Sequence, residues 1–135
     1  MIATAGGRFT TEARPVRESD ILDFAALSGD LHPQHVDPDW AGESRFGEQI
    51  AHGLLVLSFA IGLLRLDPER VVALRRIRDA VFKQPVRIGD TLRVEGRIAS
   101  TRRVDDEHEL VESHLRILNQ DDRLVALVKA ELLCR

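Results

Sequence analysis

The sequence predicts an α+β architecture, a curled antiparallel sheet wrapped around one buried helix, and three observations carry that expectation. Residues 53–64 are apolar except for Ser58, and the helix they open, 53–66, is greasy on nearly every side. A helix of that kind is covered by protein on several faces. Leu92, Val94 and Ile98 alternate with Arg93, Glu95 and Arg97, and Val111, Ser113, Leu115 and Ile117 alternate with Glu112, His114 and Arg116. Period two marks half-buried strands. Turn signals at Gly89-Asp90, before the first run, and at 119–122, after the second, favour antiparallel neighbours.

In chain order, a first strand is expected near 8–13. Ser19 can cap a helix whose inward positions are Ile21, Phe24, Ala25 and Ser28, with Asp20 in its first turn and Gly29 ending it. Residues 30–39 hold two prolines, three aspartates and two histidines and read as a loop, with a short helical turn near 39–42. After the long helix, strands are expected over 71–83, around 92–98, around 111–117 and over 124–133. The sheet then has five strands, and 1–135 reads as a single domain.

Composition narrows the function. The chain has 135 residues, 44% hydrophobic and 30% charged, enough for one real core. Nineteen basic against 22 acidic side chains give a formal charge of −3, which excludes a nucleic-acid footprint on composition. The apolar run at 53–64 falls well short of the roughly 20 residues that cross a bilayer. No signal sequence is expected at the amino terminus, where residues 1–15 hold no continuous apolar stretch. The lone cysteine, Cys134, forbids an internal disulfide and fits a reducing, cytoplasmic setting.

Chemistry concentrates in SGDLHPQHVDP (28–38) and IAHGLL (50–55). Asp30 and His35 lie five apart across a proline-containing segment. A carboxylate and an imidazole that share a water form a general acid–base pair, and the proline lowers the cost of holding both in place. His52-Gly53 opens the buried helix, whose first N–H groups lack intrahelical acceptors and carry the positive end of the dipole. Aimed at a carbonyl oxygen they stabilise developing enolate charge, and Gly53 lets a substrate approach closely.

FAALSGDLHPQHVDP (24–38), then Phe46 and IAHGLL (50–55), resembles the hydratase-2 motif of the MaoC-like (R)-specific enoyl-CoA hydratases, and PVRIGDTL (85–92) resembles the strand entry that follows it. The resemblance implies a hotdog fold, dimerisation, and reversible addition of water to a trans-2-enoyl thioester of coenzyme A or acyl carrier protein. By position, Asp30 and His35 correspond to the catalytic pair and Gly53 to the backbone donor. His32, Gln34, His52, Trp40, Phe46 and Ser58 are the expected substrate-binding set. His32 stands where the family usually has Asn, Gln34 where it has Ile or Leu, and Ile61 where some members carry a serine, with Ser58 one turn earlier.

The residues admit other readings. A hotdog thioesterase, or an enzyme adding an amine to the enoyl group, fits the extra polarity of His32 and Gln34; a non-catalytic thioester-binding subunit fits the same departures. His32, His35, His52, Asp37 and Asp39 are chemically suitable metal ligands, but no metal and no resident cofactor is expected, since coenzyme A or phosphopantetheine arrives as part of the substrate. His52 is read as orienting the loop more than as an acid or base, and Asp37 as capping the short helix. Arg75, Arg76 and Arg78 are read as a solvated strand face, although they could meet phosphates or an acidic carrier.

Overall fold

A computed structural model describes residues 7–135. The elements run β1 (Arg8–Thr10), β2 (Arg14–Pro15), α1 (Glu18–Ser28), α2 (Pro33–Val36), α3 (Pro38–Gly42), α4 (Gly53–Leu63), β3 (Val71–Phe82), β4 (Thr91–Arg103), β5 (Glu109–Leu118) and β6 (Leu124–Cys134). The sheet order is β1-β4-β5-β6-β3, with the two-residue β2 also pairing β4, so it has six strands where five were expected. Every pairing is antiparallel.

α4 lies against the concave face. Leu55, Val56, Leu57, Ala60 and Leu64 join Val94, Leu115, Ile117, Ala126, Val128 and Ala130 in one core. Fully burying a leucine or valine contributes roughly 1.5–3 kcal/mol, so this helix and the inward rows of β4–β6 account for much of the driving force. The alternation in β5 and β6 follows the sequence pattern, with Leu115, Ile117, Val125 and Leu132 almost wholly inaccessible. α4 ends at Leu63, three residues short of expectation, and Leu54 and Ser58 on it face outward.

Two other expectations need correction. Ser19 does not cap α1. The N-cap is Arg17, and the Asp20 carboxylate reaches back to accept its N–H at 2.8 Å. The segment expected as a loop contains α2, which proline starts at its first position and the His32 ring caps. β3 pairs only with β6, and Val72, Leu74, Ile77, Val81 and Phe82 are all exposed. Three register shifts interrupt its pairing, and Asp79 within it takes φ 53°.

No helix among the described residues is long and apolar enough to cross a membrane. Cys134 is buried and unpaired.

Candidate active site

Local chemistry builds the polar segment in steps. Gly29 ends α1 at φ 80°, a left-handed conformation that glycine adopts without strain, and its N–H returns to the Ala25 carbonyl. The chain turns, Asp30 N–H donating to Ser28 Oγ at 3.2 Å and His32 N–H to Asp30 Oδ1 at 3.3 Å. His32 Nδ1 accepts the Gln34 N–H at 3.1 Å and so starts α2. Asp37 then accepts from Asp39 N and Trp40 N, capping α3 as expected.

That short helix delivers His35 to the interior, 5% exposed. Its Nδ1 lies 2.7 Å from the Ile50 carbonyl oxygen, which can only accept. Nδ1 therefore carries the hydrogen, and in the neutral ring the lone pair is on Nε2. The backbone around it is stitched: Gln49 Nε2 donates to the His35 carbonyl at 2.8 Å, Ile50 N to the Gln34 carbonyl at 3.1 Å, and Ala51 N to the Val86 carbonyl at 2.8 Å. Burial pushes the His35 imidazole below its ordinary 6.5. The Ile50 contact opposes that shift, nearby His52 adds to it, and Asp30 opposes it.

His52 is the N-cap of α4, 2% exposed. Its Nε2 donates to the Asp30 carbonyl at 3.0 Å, its ring stacks on His35 with centroids 3.7 Å apart and planes at 21°, and Phe24 of α1 meets it edge-on at 4.9 Å. One side chain thus touches the Asp30 turn, α2 and α1 while sitting at the start of α4. Its Nδ1 is buried without a hydrogen-bond partner.

Asp30, His35 and Gly53 line one cleft of about 800 Å³, together with Gln34, His52 and Phe46. Asp30, His35 and His52 each offer one potential ligand atom, and these three atoms lie within 4.8 Å of one another. Such a set could accept a divalent ion. The stack works against it, because in-plane lone pairs on nearly parallel rings converge on one point only if a ring turns and gives up its bond to the backbone. The Gly53 N–H, first of its helix, has no intrahelical acceptor. Gly53 has a second reason to be glycine: a Cβ there would stand 2.8 Å from Cζ of Phe82.

Three of the expected substrate-binding residues lie off the cleft wall. The His32 ring is exposed and acts as the cap of α2, Trp40 is 46% exposed and meets His32 edge-on, and Ser58 is exposed with Oγ bonded to the Leu54 carbonyl. Ser58 follows Gly53 by five residues, about 140° around an α-helix. Arg75 and Arg78 pair with Glu131 and Glu112 on the outer face, consistent with a solvated strand. Sequence reasoning missed Phe24, Arg45, Phe82, Lys83 and Gln84 on the wall, and Gln49 behind His35. The residues 82–84, immediately before Pro85 of the second motif, were the available signal.

A helix wrapped by a curled antiparallel sheet defines a hotdog protein. Residues 3–119 match the MaoC-like domain, and the chain belongs to that family. It is 40% identical over 86 residues to the (R)-specific enoyl-CoA hydratase of Rhodospirillum rubrum, an overlap of 64% of this chain and 60% of that one, so it spans about three-fifths of that relative's length. A monoamine oxidase regulatory protein from Archaeoglobus superposes with a TM-score of 0.92 at 33% identity, covering 98% of this chain and 91% of the other. A Mycobacterium tuberculosis protein with a double hotdog fold superposes at 0.86 over 98% of this chain and 42% of its own; at 21% identity this speaks to the fold alone.

Proposed function

We propose that the protein is a hydro-lyase acting on acyl thioesters, reversibly hydrating a trans-2-enoyl group on coenzyme A or acyl carrier protein to the (R)-3-hydroxyacyl thioester. The observation that carries this reading is the convergence of Asp30, His35 and Gly53 on one cleft. The neutral Nε2 of His35 is an available base. As the water oxygen bonds to C3, one water proton passes to that nitrogen. The C2–C3 π pair moves toward the thioester carbonyl, whose oxygen accepts the Gly53 N–H, and C2 then takes a proton from the Asp30–His35 pair. The resemblance to the Rhodospirillum hydratase supports the substrate class. Coenzyme A or phosphopantetheine enters as part of the substrate, and no resident cofactor takes part.

The working unit is read as a homodimer joined along β3. Among the described residues this strand has a free edge and five exposed large apolar side chains, the pattern that a second copy would cover. The buried free thiol of Cys134 suits the cytoplasm.

The test is a panel of trans-2-enoyl-CoA and enoyl-carrier thioesters incubated with the purified protein and read by mass spectrometry. Gain of one water, with the R configuration at C3, is the expected result. Release of free thiol would replace hydration with hydrolysis, and tight binding without turnover on any chain length would make this a thioester-binding subunit.

A further inference from the structure

Gln34 has a backbone that builds the site and a side chain that the fold does not use. Its N–H starts α2 on His32 and its carbonyl accepts Ile50 N–H, two contacts that any residue would make. The side-chain amide lines the cleft, and the one hydrogen bond it makes among the described residues is to His35: Gln34 Nε2 lies 3.4 Å from His35 Nε2.

That nitrogen is the reacting one. With Nδ1–H committed to the Ile50 carbonyl, Nε2 of neutral His35 offers only a lone pair, so the amide N–H of Gln34 donates to it. At 3.4 Å the contact is at the long end of hydrogen bonding, weak enough for a better partner to displace. An amide also presents both a donor and an acceptor to any small molecule bound at Nε2. A water that gives one hydrogen to His35 keeps a lone pair and a second hydrogen to be fixed before it can attack a carbon in one orientation. The amide is within a single hydrogen bond of that water, whereas an aliphatic side chain at this position could do nothing of the kind.

We propose that the Gln34 side-chain amide is part of the nucleophile site, holding the attacking water against His35 in hydration and the 3-hydroxyl of the product in the reverse direction. This rests on the hydratase reading and adds to it the group that orients the oxygen nucleophile. His52, Asp30 and His32 are the other titratable groups around His35, and none of them changes in the substitutions below.

The proposal separates the two directions of the reaction. The enoyl substrate carries no oxygen at C3, so losing the amide should leave its KM unchanged and lower kcat for hydration. The 3-hydroxyacyl thioester does carry that oxygen, so its KM should rise. Losing one neutral hydrogen bond implies about a tenfold effect, and because the overall equilibrium is fixed, kcat/KM must fall equally both ways. The experiment compares wild type with Gln34→Met and Gln34→Leu, in both directions, on trans-2-butenoyl-CoA and (R)-3-hydroxybutanoyl-CoA, or on whichever chain length the wild type prefers. Two variants of different shape guard against one failing to fold, and far-ultraviolet circular dichroism checks each. The expected result is kcat down about tenfold at constant KM for the enoyl thioester and KM up for the hydroxyacyl thioester. Wild-type kinetics in either folded variant, or a rise in both KM values together, would overturn the proposal while leaving the hydratase reading in place. A wild type that hydrates no enoyl thioester would overturn both.

Discussion

Asp105 and His108 sit three residues apart in the loop between β4 and β5; Asp30 and His35 sit five apart in the segment leading to α4. The first pair closes on itself, Oδ1 of Asp105 lying 2.9 Å from Nδ1 of His108 on an exposed turn. The Glu107 N–H, and then the His108 ring, hold the Asp105 carboxyl below the usual carboxylate range. The second pair is kept from closing. Asp30 and His35 present ligand atoms within 4.8 Å of each other, yet no hydrogen bond or ion pair joins them. Backbone groups take the spare capacity instead: the Ile50 carbonyl binds His35 Nδ1, and the His32 N–H binds Asp30 Oδ1. An acid and a base that satisfy each other are a surface ion pair of little consequence. Held apart beside a cleft, the same two groups can share a water.

The broadest way to break this comparison is to mutate both pairs. Asp30→Asn and His35→Ala should each lower turnover on the preferred enoyl thioester at least about 100-fold, the size expected of general acid–base groups. Asp105→Asn and His108→Ala should leave it at the wild-type level. Steady-state kinetics on the four folded variants decide the matter, and equal losses at both sites would show that separation within the cleft is not what distinguishes them.

A narrower perturbation targets what keeps the second pair apart. His52→Phe retains a flat ring to stack on His35 but removes the bond to the Asp30 carbonyl. Stability should change little, by about 1 kcal/mol or less, because the lost hydrogen bond is offset by removal of the buried, unpartnered Nδ1. Turnover should fall about tenfold as the Asp30 turn loses its tether to the start of α4. Thermal denaturation beside kinetics separates the two effects, and a large fall in Tm with normal turnover would assign His52 to folding alone.

The contrast also explains what was legible in the sequence. The inward rows of β4 and β5, Gly29 as a helix terminator and Gly53 at the start of α4 were readable because each is a local pattern: a period of two, a left-handed cap, a polar-to-apolar step. The Asp30, His35 and Gly53 candidates were readable for the same reason, since one motif and one helix boundary contain them. α2 was not, because its four residues have the composition of a loop and become helical through the His32 ring and Pro33. The exposure of β3 was hidden because an edge strand and a central strand use the same β-branched residues; position in the sheet is a tertiary fact. Ser58 was misplaced because chemical type was weighed without its angle around α4. The packing of Phe82 over Gly53 joins residues far apart in sequence, so neither could announce the other.

The smallest effect is on pH dependence, and its sign follows from the groups around His35. A base works unprotonated, so kcat/KM should be level above its pKa and fall below it. Burial lowers that pKa from the ordinary 6.5, which places the acid limb below pH 6.5. The neighbouring His52 also lowers it, so His52→Phe should move the limb upward. The Asp30 carboxylate raises it, so Asp30→Asn should move it downward. The first shift is read from kcat/KM profiles. The second, where turnover is too slow, is read from the titration of the His35 ring by nuclear magnetic resonance. Opposite displacements would show that both neighbours act on the base through space across the same cleft. A limb above pH 6.5 in the wild type would mean that the group being titrated is not a buried imidazole, and the role of base would pass from His35.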